Sequence, residues 1–188
     1  LSPPLRDVLA ESGLSTQAFY RCFRSKGELL LVILDAGRDR LTAYLVHRMG
    51  RTNDPARKVA ALVRGVMAQA ADPSAAGRTR PFAVGEDRIA EQFPVEHLAS
   101  VERLAGLLVD PIMAMRGQAD NARERAIVER DVMAVYDLTF AALRRLLINH
   151  SAPTPAEVDH LVDFTLGGIG DNARPGAAIT SKRTGKGR

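Results

Sequence analysis

The chain has 188 residues, of which 46% are apolar and 5% aromatic, and it carries one cysteine. Such a chain can bury a core of one domain or two small ones; it is not disordered throughout, and it has neither an internal disulfide framework nor a cysteine-rich zinc site. The net charge of +4 is unevenly spread: residues 1–51 carry eight Lys/Arg against five Asp/Glu, residues 52–170 thirteen against sixteen, and residues 171–188 five against one, so a basic end meets a slightly acidic body, which suits a polyanionic partner at one end.

Caps and breakers divide the chain into helices. Ser2 caps a short helix opened by Pro3 and Pro4 and running to about Glu11. Gly13 follows as a turn residue free to take positive φ. Ser15 caps a second short helix, Thr16 to Phe23, and Ser25 with Glu28 has the spacing of a capping box that opens a long helix to about Met49. Asp54-Pro55 opens another, to about Ala71. Residues 72–80 are rich in Pro, Gly, Ser and Ala and are expected to form a loop. Helical pieces fit 81–92 and 95–118, divided at Phe93-Pro94, with Pro111 expected to kink or end the second. A strongly apolar helix spans about Ala122 to Asn149. Thr154, Pro155 and Glu157 cap the last one, whose apolar residues Val158, Leu161, Val162, Leu166 and Ile169 recur at helical spacing until Gly167 to Gly170 end it. The tail from 171 to 188 lacks periodicity and is expected to be a disordered basic segment. There is no alternating strand pattern and no internal repeat, so the expected fold is all-α. The longest apolar run, Leu29 to Leu34, falls far short of the roughly 20 residues a bilayer requires. With no secretory signal visible, a cytoplasmic protein without a membrane partner is expected.

The stretch Asp7 to Leu30, DVLAESGLSTQAFYRCFRSKGELL, is two short helices around a glycine turn followed by a supporting third. That is a helix-turn-helix, whose second helix fits a major groove. Val8, Leu9, Leu14, Phe19 and Phe23 supply its small core. Ser15, Thr16, Gln17, Tyr20, Arg21 and Arg24 are left facing outward. Gln reads adenine with two hydrogen bonds, Ser and Thr bond bases or phosphates, and Tyr, Arg and Lys suit phosphates. Lys26 stands at the start of the long helix, where free backbone N–H groups also attract a phosphate.

In this stretch Val8, Ala10, Gly13, Ser15, Tyr20, Phe23, Lys26 and Leu29 stand in the order and spacing of a family pattern. It resembles the TetR family of bacterial transcriptional regulators, over about 30 residues. The family's first helix precedes Leu1, and the family usually has Ser or Thr where Pro4 stands. The resemblance implies a DNA-binding region at 1–50 with its linking helix and a ligand-binding and dimerisation domain at 51–170. The expected function is that of a repressor released from a palindromic operator by an apolar small molecule. Ser15, Thr16, Gln17, Tyr20, Arg21 and Lys26 are the expected DNA contacts. Met67, Phe82, Ile89, Phe93, Leu108, Met113, Met115, Met133, Tyr136 and Phe140 fall on the helices that surround the effector cavity in the family, and methionines make adaptable linings.

The apolar helix 122–149 presents more than one apolar face, so one face needs a partner. The family resemblance implies that the last two long helices pair with their two-fold mates in a homodimer. Cys22 is expected to be an inert thiol. The four histidines share no ligand spacing, and neither a metal nor a cofactor is expected. An all-helical enzyme using Glu86, Asp87 and Glu91 is the alternative from another class, together with an interaction module that does not bind DNA; an enzyme is not the expected outcome, because no nucleophile elbow, P-loop or zincin motif is present.

Overall fold

A computed structural model describes residues 4–117 and 121–171. Among these the chain forms nine α-helices and one short 3-10 turn, with no strand. The helices are α1 Leu5–Ser12, α2 Thr16–Cys22, α3 Lys26–Met49, α4 Pro55–Ala71, α5 Pro73–Gln92, α6 Pro94–Ala105, α7 Val109–Arg116, α8 Ala122–Ile148 and α9 Pro155–Asp171; the turn Gly106–Leu108 joins α6 to α7. None of them is long and apolar enough to cross a membrane.

Helix starts follow one device. Ser15, Ser25, Asp54, Asp72 and Asn121 each accept a hydrogen bond from the backbone N–H three residues on, which satisfies a donor that the helix itself leaves open. At Thr154 the box closes both ways: Glu157 N–H donates to Thr154 Oγ1 at 3.2 Å, and Thr154 N–H donates to the Glu157 carboxylate at 2.8 Å. At Ser25 the return bond is shifted by one residue, since the Glu28 carboxylate accepts from Arg24 N–H instead.

Three boundaries differ from expectation. Residues 73–80 are helical, because Asp72 caps α5 and Pro73 occupies its first position, where a missing N–H costs nothing. The helix passes through Pro81, which withholds the bond that would reach back four residues. Pro111 breaks nothing: it sits in the first turn of α7, and the interruption falls earlier, at Gly106–Leu108. Gly167, Gly168 and Gly170 remain inside α9. Ser2 and the tail beyond Asp171 lie outside the described residues.

The core is built around α4, which packs on α3, α5, α7, α8 and α9. Its buried residues Val59, Leu62, Val63, Val66, Met67 and Ala70 recur every three or four positions. Gly65 lets α3 come close: a Cβ there would lie 2.6 Å from Leu45 Cδ2. A second, smaller cluster joins Leu31 and Leu34 of α3 to Ile89 of α5, flanked by Phe82 and Phe93. Helix α3 therefore serves two cores. Leu31, Leu34, Arg38, Leu41, Leu45 and Met49 form one stripe at three- and four-residue spacing, and Arg38 is the single charged member.

Candidate functional sites

At the N-terminal end, Gly13 closes α1 in the left-handed conformation, at φ 67°, and Ser15 restarts the chain as the cap of α2. Phe19 is 2% exposed and packs edge-on to Tyr20 and obliquely against Phe23. Leu9 of α1 is buried as well, Val8 and Phe23 are half-buried, and Leu14 is exposed. With Phe19 facing inward, Thr16, Gln17, Tyr20 and Arg21 occupy the opposite face and are all exposed, Tyr20 by 56%. At about 100° per residue these four fall within roughly 140° of arc, a continuous polar surface. Ser15 is exposed, and its oxygen accepts from Ala18 N–H at 3.1 Å, which leaves its hydroxyl proton for an outside acceptor. Lys26 is half-buried at the first position of α3 and Arg24 is exposed just before it. Cys22 is exposed.

The second site is a cavity of about 720 Å³ between α3, α5 and α8, with Gln69 of α4 at its edge. Its apolar walls include Leu34, Leu41, Phe82, Phe140, Leu143 and Leu147. Its polar walls carry four guanidiniums, Arg38, Arg40, Arg78 and Arg144, against one carboxylate, Glu86. Arg38 donates through Nη2 to Glu86 at 3.2 Å and approaches His97 Nδ1 at 3.5 Å. Burial, and then the Arg38 charge, hold His97 below the usual histidine range. Arg144 bonds Ala83 O and Asp87, tying α8 to α5, and the bond from its guanidinium lowers the Asp87 pKa.

Of the ten residues expected around an effector, Phe82 and Phe140 line this cavity. Tyr136 stacks on Phe140 with centroids 4.3 Å apart, and burial pushes its hydroxyl up to about 12. Met113 and Met133 line a second cavity of about 290 Å³ between the α6–α7 segment and α8. Met67 and Leu108 are core residues and Met115 packs against that core. Ile89 and Phe93 belong to the smaller cluster beside α3.

The four arginines were missed by the sequence reading. Arg38 alone left a signal there, as a charge inside an apolar stripe. The acids of the enzyme alternative do not converge as a free pair, because Glu86 is held by Arg38 and Asp87 by Arg144. No group of His, Cys, Asp and Glu suited to a metal ion occurs among the described residues. No protein-family profile, curated protein sequence or solved structure matches the chain.

Proposed function

We propose that the chain is a ligand-responsive, DNA-binding transcriptional regulator of the TetR type that acts as a homodimeric repressor on a palindromic operator. The observation that carries this reading is the unit α1–Gly13–α2. It is a glycine-turned helix pair whose second helix buries Phe19 and exposes Thr16, Gln17, Tyr20 and Arg21 as one polar arc. Such an arc matches what base edges and flanking phosphates require.

Helix α5 supplies the route between the two sites. Phe82, Ala83 and Glu86 line the cavity. The far end of α5 brings Ile89 and Phe93 against Leu31 and Leu34 near the start of α3. A Cβ at Gly27, one residue after Lys26, would lie 3.1 Å from the Phe93 ring. A ligand that moves α5 therefore presses on the helix that follows the DNA-contacting unit. A ligand with different affinities for two such arrangements shifts DNA affinity by that difference, and DNA shifts ligand affinity equally. Exposed Phe164 of α9 and Ile148 of α8 support a partner surface on the last two helices.

The test is selection of duplexes from a random pool by the full chain. An inverted repeat is expected, with binding that weakens as salt rises. Retention of all duplexes alike, or of none, would overturn the proposal.

A further inference from the structure

We infer that the effector is an amphipathic carboxylic acid, its carboxylate held by Arg38 together with Arg78 and its apolar body lying against Leu34, Leu41, Phe82, Phe140 and Leu143. The assignment rests on reading the 720 Å³ cavity as the effector site and names the chemistry of its ligand.

Arg38 is the anchor. It interrupts the apolar stripe of α3, and its side chain is only 10% exposed. A guanidinium has five donors. Arg38 gives Glu86 one bond, at Nη2, and its buried Nη1 has no hydrogen-bond partner. A buried donor left unpaired is costly, so such a group calls for an acceptor. Glu86 is its one ion-pair partner among the described residues and is itself about one-third exposed.

The other arginines set the sign of the ligand. Arg40 and Arg78 line the same cavity and form no ion pair among the described residues; each spends one donor locally, on Ala36 O and Ser74 Oγ. Arg144, the fourth, is taken by Asp87. An ammonium head would meet a surplus of positive charge, and a neutral head would leave it uncompensated. A carboxylate matches a guanidinium fork with two parallel bonds, stronger than neutral ones. The remaining wall is aliphatic and aromatic, and the volume lies within the roughly 300–1,000 Å³ of small-molecule sites, so the ligand needs an apolar body behind its acid.

Calorimetry on the full chain with decanoate, 1-decanol and decylamine isolates the head group, because the chain is the same length in all three. Decanoate is expected to bind most tightly, with decanol weaker by about tenfold or more, as the loss of a charge-assisted hydrogen bond implies, and decylamine weaker still. Arg38→Met and Arg78→Gln are each expected to weaken decanoate by about tenfold and to leave decanol unchanged. Arg78 is exposed, so its variant remains informative if Arg38→Met does not fold. Decanol binding as tightly as decanoate, no binding by any of the three, or decanoate affinity indifferent to Arg78→Gln in a folded protein would overturn the inference. Operator binding measured in parallel separates the two claims. Decanoate that binds through these arginines without changing operator affinity contradicts regulation and leaves the ligand class standing. An operator-binding protein that ignores decanoate contradicts the ligand class alone.

Discussion

At the residue scale, the fold depends on the ion pair between Arg116, at the end of α7, and Asp131 of α8. The atoms are 2.5 Å apart and the side chains are 11% and 13% exposed. Arg116 reaches Asp131 through Nε, and its buried Nη2 has no hydrogen-bond partner, so removing the carboxylate strands a whole guanidinium. Asp131→Ala is expected to destabilise the protein by about 3–5 kcal/mol, whereas replacing both partners with well-packed apolar residues costs far less. Chemical denaturation of the single and double variants checks this, and a single variant as stable as the wild type would contradict it. Nothing in the sequence marks this pair, because its partners are 15 positions apart on different helices. Arg38 is different. The sequence itself carries its signal, a charge set in the apolar series Leu31, Leu34, Leu41, Leu45 and Met49.

At the element scale, helix starts were legible wherever a cap residue was followed by an apolar stripe. Ser15, Ser25, Asp54 and Thr154 all begin helices as expected. Asp72-Pro73 repeats Asp54-Pro55, yet residues 72–80 looked like a loop because Pro, Gly, Ser and Ala dominate them. The cap outweighs that composition, and the segment holds its place through Arg80, which donates to Leu147 O of α8 at 2.7 Å. Packing distances were not legible. Gly65 looked unremarkable in sequence, but it is where α3 and α4 approach most tightly among the glycines: its absent Cβ would overlap fully buried Leu45. Gly65→Ala is expected to lower stability by about 1–3 kcal/mol, the usual cost of overpacking, despite the better helix propensity of alanine. A thermal unfolding scan decides this, and an unchanged or raised midpoint would show that the helices separate without cost.

At the scale of the whole molecule, helical content follows directly from composition and periodicity, while the functional arrangement depends on which faces are left open. Helix α9 buries Val162, Thr165 and Ile169 and leaves Phe164 63% exposed. In the proposed homodimer a second copy would cover that ring. Light scattering should give about twice the chain mass of 20.4 kDa, and Phe164→Glu should shift it toward one, since burying an unpaired charge costs several kcal/mol. A dimer indifferent to that change would place the seam elsewhere.

The central claim is that the face of α2 opposite Phe19 reads DNA. The most direct measurement compares affinity for a selected inverted repeat with affinity for single-base variants of it, in wild type, Gln17→Ala and Arg21→Ala. The account predicts that Gln17→Ala erases about 1–3 kcal/mol of discrimination at one base pair per half-site, while Arg21→Ala weakens every duplex alike and flattens the salt dependence. Equal affinity of the wild type for the selected and scrambled duplexes, or base preferences untouched at every position by Gln17→Ala, would contradict it.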